Sequence, residues 1–413
     1  MLIKPRAPAR RDFLRAGMYA VGVSAGLPSL FEQLSLAQVA QAASGDEKHP
    51  NRILVVLELS GGNDGLNTVV PYEDDAYHQA RPKLRVSKSQ VLKLNDQFGL
   101  HPSCEGLQKL YKDGRMAIIN GCGYPQPNLS HFTAMEWWHT ATPHGADEHG
   151  WLGRFADSYQ PQPAENYIVN IAQRQSLAVA SGKHSPVVFN DPKQFGRLGT
   201  EAQQKVFETF GKVYPTKNPS LEFVNQVSRT ATVGAALVRN ACSEYKTLVD
   251  YGSDNDVTLD LKKVAAMIAA EMPTRIYYVS MGGFDTHAAQ PDLHNTLLIY
   301  LSDALRGFMD DMKRIGREDD VAILSFSEFG RRVRENDSRG TDHGTAGPMF
   351  IYGKAVQGGL YGKPSSLTDL DDGNLKFTTD FRSVYATVLQ EWMGFDSTKQ
   401  ILKGDYEPLK VFA

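Results

Sequence analysis

Cysteine is scarce: Cys104, Cys122 and Cys242 are the only three in 413 residues, and none forms a C-x-x-C pair. That excludes a zinc ribbon and a thioredoxin-like redox motif. An oxidising compartment would allow one disulfide with one thiol left over, and spacing does not choose the pair. Basic stripes are missing as well, and the formal net charge is −3, which argues against a nucleic-acid partner. No stretch of the body of the chain approaches the roughly 18 uninterrupted apolar residues of a membrane span, so no stable span is expected. Internal repeats and low-complexity linkers are absent too. What remains is an ordinary folded composition, 41% hydrophobic and 22% charged.

The N-terminus reads differently from the rest. "ARRDFLRAG", from Ala9, pairs Arg10 and Arg11 with Phe13 and Leu14. A weakly hydrophobic, Gly- and Ala-rich stretch follows to about Leu36, then "AQA" at Ala40 to Ala42. The order of these parts resembles a twin-arginine export signal over residues 1–42, with a basic amphipathic helix as the alternative. The expectation is a periplasmic or extracellular protein, carried out by the twin-arginine translocase. The segment holds five basic residues and two acids, so its removal leaves the mature chain near −6. Twin-arginine systems carry folded proteins, often with a cofactor inserted, which favours a bound metal.

From residue 43 to 413, strand-like runs alternate with helical ones. This pattern predicts a single α/β domain whose central, mostly parallel sheet is sandwiched by helices. The clearest strands are Ile53–Leu59, Met116–Asn120, Arg275–Ser280, Val321–Phe326 and Met349–Tyr352, several of them continuously apolar as strands covered on both faces are. Helical patterns cover His131–Thr140, Leu221–Tyr251, Leu259–Glu271, Leu293–Ile315 and Phe381–Trp392, with a helical insertion at about 200–270. In such sheets, function gathers in loops at the carboxyl ends of the strands. Read in order, those loops bring Asp64, Ser130, Asp285, His287, Glu328, Asp342 and His343 to one edge.

Each candidate has a bland alternative. Asp285 and His287 in "FDTH" are two apart, which in an extended loop points both side chains the same way. Carboxylate plus imidazole suits zinc or a similar ion; the alternative is a helix N-cap and a surface histidine. His343 in "TDHGTAG" and Glu328 in "EFGRR" stand in two more strand-end loops, and three such loops together favour a metal site. Glu328 could instead pair with Arg331 or Arg332. Ser130, at the start of "HFTAMEWWHTA", is an ordinary N-cap or, beside a metal, an activated nucleophile. Arg331 can receive a substrate anion, or pair with Glu328 or Glu335. His139, His144 and His149 read as solvated. The loop "GGNDG" is neither a dinucleotide nor a P-loop fingerprint, nor an EF-hand ladder, so its glycines serve a sharp turn and Asp64 faces the cleft.

Together, "LSGGNDGLNTVVPY", "NLSHFTAMEWW", "GGFDTH", "FSEFGRR", "GTDHGTAGPMFIYGKAVQGGLYGKPSSL" and "TTDFRSVYATVLQEWMG" resemble domain-of-unknown-function family fifteen-oh-one, from about residue 50 to the end. That family is similar in architecture to the alkaline phosphatase and sulfatase superfamily. The resemblance implies an exported hydrolase of phosphate or sulfate esters, acting on a small anionic ester or a sulfated or phosphorylated glycan. It implies one or two divalent ions, zinc first, with calcium, magnesium or manganese as alternatives. Asp64, Asp285, His287, Glu328 and His343 would hold metal; Ser130 would be the nucleophile and Arg331 would meet the substrate anion. Two departures stand out. The Asp…His pair is unusually close, and Glu328–Phe329 occupies a place where relatives often carry adjacent Asp and His. No C-x-P-x-R signature accompanies Cys122, which argues against a formylglycine. A non-catalytic envelope binding or assembly protein that keeps the fold is the alternative.

Overall fold

The computed structural model describes His49, residues 51–195 and residues 234–413. The expected export-signal segment and the first part of the expected helical insertion lie outside the described residues. The main sheet is built from β1 (Ile53–Leu59), β2 (Met116–Gly123), β3 (Ile168–Ile171), β4 (Val187–Phe189), β5 (Ile276–Met281), β6 (Val321–Phe326), β7 (Gly347–Gly353), β8 (Gly359–Tyr361) and β9 (Thr379–Asp380). Their order is β8-β2-β7-β6-β1-β5-β3-β4, with β9 beside β2. β1 pairs in parallel with β5 and β6, and only β7 runs against its neighbours β2 and β6. The sheet is therefore mixed and mostly parallel, as the sequence predicts.

β1 shows why the sheet is central. All seven of its residues, ILVVLEL, are buried, and alternation sends them to two separate cores. Ile53, Val55, Leu57 and Leu59 join one apolar cluster, Leu54 and Val56 the other. The first cluster is completed by α1 (Glu105–Lys112), α4 (Ala235–Glu244), α5 (Asp256–Ala269) and α6 (Gln290–Arg314). The second takes α2 (His131–Thr140), α3 (Trp151–Tyr159), α7 (Phe381–Thr387) and α8 (Thr398–Leu402). Thus α4 and α5, the described part of the expected insertion, pack directly on the sheet. None of the described helices is long and apolar enough to cross a membrane. The three cysteines are free: Cys104 and Cys122 are buried and Cys242 half-buried, so the one disulfide that composition allows does not form.

α2 begins where an extended Ser130 (φ −82°, ψ 125°) turns the chain out of the loop after β2. The expected bounds, His131–Thr140, are the observed ones. α6 starts at Gln290 with a proline in its first turn and ends in Lys313 and Arg314, a charge placement that suits the helix dipole. Asp285 is therefore not an N-cap: Ala289 holds that position, and Asp285 stays in the loop. The loops after β1, β5 and β6, together with the loop entering the reversed β7, meet at one edge of the sheet.

Candidate metal centre

The loop after β1 is bound from both sides. Gly61 and Gly62 have φ of +118° and +72°, and an added Cβ would meet the backbone N of Asp285 at 2.5 Å or the Phe329 ring at 2.4 Å. Only glycine suits such positions. Their amides donate to Glu328, Gly61 N to Oε1 at 2.8 Å and Gly62 N to Oε2 at 3.1 Å. Ser327 Oγ adds a third donor at 3.0 Å. Glu328 is buried, so its carboxylate sits in a cradle of the turn's own N–H groups. Its one outward contact is His131 Nδ1, 2.8 Å from Oε1.

Three imidazoles share a common arrangement. His131 Nδ1 faces Glu328, His343 Nδ1 faces the Leu129 carbonyl at 2.8 Å, and His287 Nδ1 faces Asp342 Oδ1 at 3.3 Å. Each of those partners is an acceptor, so each Nδ1 carries the hydrogen and, in the neutral ring, Nε2 carries the lone pair. All three Nε2 atoms turn toward Asp285. His343 Nε2 and His287 Nε2 lie 3.0 Å from Asp285 Oδ1 and 2.9 Å from each other. His131 Nε2 is 3.4 Å from Asp285 Oδ2, an electrostatic contact without hydrogen-bond geometry, and it is a buried atom with no hydrogen-bond partner. The ligand atoms of His131, Asp285 and His343 all lie within 4.8 Å of one another. Lone pairs and a carboxylate gathered this closely repel unless protons or a cation lie among them.

This donor set fits a divalent ion. A tetrahedral site with bonds of about 2.0–2.1 Å to nitrogen has edges of roughly 3.3 Å, and the separations of Asp285 from the three Nε2 atoms and of His287 from His343, 2.9–3.4 Å, bracket that value. The anchoring of each Nδ1 is the outer-shell pattern that orients metal-binding histidines. Asp285 is held ready as an anion. Burial opposes its ionisation, but the hydrogen bond and the charge of Arg331 outweigh it and hold the pKa well below the usual carboxylate range.

Other expected site residues are placed elsewhere or hold other partners. Asp64 is fully buried and does not join the cluster. Its Oδ2 pairs with Arg81 at 2.6 Å and accepts from Gln290 Nε2 at 2.5 Å, while Oδ1 caps the one-turn helix Gly65–Thr68. Glu328 orients His131 through Oε1, its other contacts being internal donors. Arg331 is also buried, and the ion pair it makes is with Asp285 rather than Glu328 or Glu335. It donates to the carbonyls of Gly62 (2.6 Å), Thr341 (2.8 Å), Gly61 (2.5 Å) and Phe284 (3.0 Å) and to Asp285 Oδ1 (2.7 Å). A guanidinium so engaged has no face to offer a substrate anion. Glu335 instead accepts from the amides of Lys83 and Leu84.

Ser130 is exposed and makes no side-chain cap bond; only its backbone N is engaged, by Asn128 Oδ1 at 2.8 Å. The ordinary N-cap alternative is therefore not what its hydroxyl does. Asp285 and His287 do point the same way, as their spacing requires. His139 departs from the solvated expectation: it is largely buried, 2.8 Å from Glu58 Oε2, and Tyr278 and Ser280 also donate to Glu58. Sequence reasoning missed His131, whose signal was its place directly after a strand-end loop at a helix start. It also missed the positioning role of Asp342, the Glu58 cluster, and the Arg81 and Gln290 clamps.

Among solved structures, the fold is similar to the PsFucS1 sulfatase from Pseudoalteromonas sp. at 10% identity, covering 94% of this chain and 76% of that one, TM-score 0.41. The lipoteichoic acid synthase LtaP from Listeria monocytogenes aligns at 10% identity over 89% and 80%, TM-score 0.41. A protein in the alkaline phosphatase superfamily from Vibrio parahaemolyticus aligns at 12% over 90% and 77%, TM-score 0.38. No curated protein matches the chain in sequence. The family described as "Protein of unknown function (DUF1501)" matches residues 51–405, and the chain belongs to that family.

Proposed function

We propose that the chain is an exported, metal-dependent hydrolase of phosphate or sulfate esters. The observation that carries this reading is the approach of three anchored imidazoles to Asp285, with the His131 Nε2 atom buried and unpartnered. His131, His287, His343 and Asp285 would hold the ion, whose contribution when bound is to polarise an ester oxygen and lower the pKa of a nearby hydroxyl. Ser130 adjoins His131 and keeps its hydroxyl exposed at the start of a ten-residue helix. Helix N-termini present free amides that suit anionic oxygens. In this reading Ser130 attacks the ester, or its hydroxyl and the first amides of α2 hold the anion. Small anionic esters and sulfated or phosphorylated glycans are the substrate class.

One observation favours the second reading, an envelope binding or assembly protein without turnover: Arg331, the expected anion receptor, is engaged on all sides. Elemental analysis of the purified mature chain, with a panel of aryl phosphate and aryl sulfate esters, separates the two. Bound metal with ester turnover supports the hydrolase. Absence of tightly held metal, with both ester classes surviving added divalent ions, removes it.

A further inference from the structure

Resting on that reading of the site, we infer that it takes a single nitrogen-rich ion of the zinc class, and that two buried arginines stand where a second cation would be needed. His131 Nε2, His343 Nε2 and an Asp285 carboxylate oxygen lie within 4.8 Å of one another, and His287 Nε2 stands beside Asp285 and His343. Nitrogen-dominated sets suit zinc and its neighbours, whereas calcium and magnesium take oxygen ligands.

A second ion would need further carboxylates, and the nearby buried ones already have positive or N–H partners. Asp64 lies against Arg81 with both side chains 0% exposed. Glu328 is held by the amides of Gly61 and Gly62. Asp285 could bridge through Oδ2, but there it meets only His131, and its Oδ1 already faces the fully buried Arg331 guanidinium at 2.7 Å. Two donors do not make a site. Phe329 closes the remaining wall. Its ring centroid is 4.9 Å from that of His131 and 4.7 Å from that of His343, and it offers no donor.

The test uses the mature chain, stripped with a chelator and titrated with zinc chloride by calorimetry. Elemental analysis and the absorption spectrum of the cobalt-loaded protein accompany it. One equivalent of zinc is expected, undiminished by a hundredfold excess of calcium or magnesium. Cobalt should show the intense visible bands of a four-coordinate, nitrogen-bound ion. A second equivalent, or displacement of zinc by calcium, overturns this inference and leaves the hydrolase reading standing. No uptake of any ion overturns both.

Discussion

Asp64→Asn distinguishes a structural acid from a metal ligand at the end of β1. In the parent, Asp64 and Arg81 form a 2.6 Å pair with both side chains fully buried. Arg81 also donates to the Val333 carbonyl (2.9 Å), Asn67 Oδ1 (2.8 Å) and the Arg332 carbonyl (3.0 Å). The substitution keeps size and an acceptor oxygen but leaves a buried guanidinium with neutral partners only. Breaking such a pair costs about 3–5 kcal/mol. At roughly 2.1 cal/mol/K of unfolding entropy per residue, a chain of this length loses about 4–6 °C of melting temperature. Burial opposes ionisation of Asp64, yet Arg81, by charge and hydrogen bond, lowers its pKa below the ordinary value. The pair's contribution is thus complete above about pH 4 and is lost as pH falls through the depressed value, so parent and variant melts should converge in acid. Thermal melts followed by circular dichroism, with metal content measured on the same samples, check this. A variant that melts like the parent but has lost its metal would refute the structural assignment.

Ser130→Ala should abolish turnover of aryl esters while metal content and melting temperature stay at parental values; full activity in the variant removes the nucleophile assignment. Burial pushes the pKa of His294 down to about 4, and that of His101 likewise to about 4. The unfolded chain therefore binds more protons than the native one between about pH 4 and 6.5, and stability should fall as pH drops through that interval. His294→Gln, which can keep a hydrogen bond to Asn63, should flatten this dependence in melts from pH 7 to 4; an unchanged slope refutes it. Glu58→Gln weakens the charge-assisted contacts with His139, Tyr278 and Ser280 and should cost about 2–3 kcal/mol, read as a lower denaturation midpoint.

The strands legible in the sequence were those covered on both faces, because β1 and β6 are continuous apolar runs. The four-residue β3 and three-residue β4 carry too little pattern to be told from loops. The convergence of the strand-end loops followed from topology, so the meeting of Asp285, His287 and His343 at one edge was legible from position alone. Asp64 shows where that reasoning ends. A buried acid at a strand end looks the same in sequence whether it meets a metal or an arginine, and its partner Arg81 comes from a helix end 17 residues away. Arg331 was named as an anion receptor, but its actual partners were illegible for the same reason: they lie in the loops after β1 and β5 and at Thr341, and backbone acceptors leave no signature in composition. His131 was overshadowed by its neighbour Ser130, since nothing in "NLSHF" says which of the two faces the cleft.

The glycine turn after β1 contributes no ligand, yet it orients two. Its amides at Gly61 and Gly62 fix Glu328, which fixes the His131 ring; its carbonyls bind Arg331, which in turn holds Asp285. Gly62→Ala tests this coupling without touching a metal donor. The new Cβ would lie 2.4 Å and 2.6 Å from Phe329 ring atoms, at a φ of +72° that side chains rarely adopt. Strain of about 1–3 kcal/mol would displace the turn or the ring. Outer-shell changes of this kind typically weaken metal binding about 10- to 100-fold. Competition against a chromogenic chelator should therefore show that loss in a chain that still folds. If Gly62→Ala lowers the melting temperature but binds zinc as tightly as the parent, the turn only supports the fold, and the orientation of His131 and Asp285 must come from elsewhere.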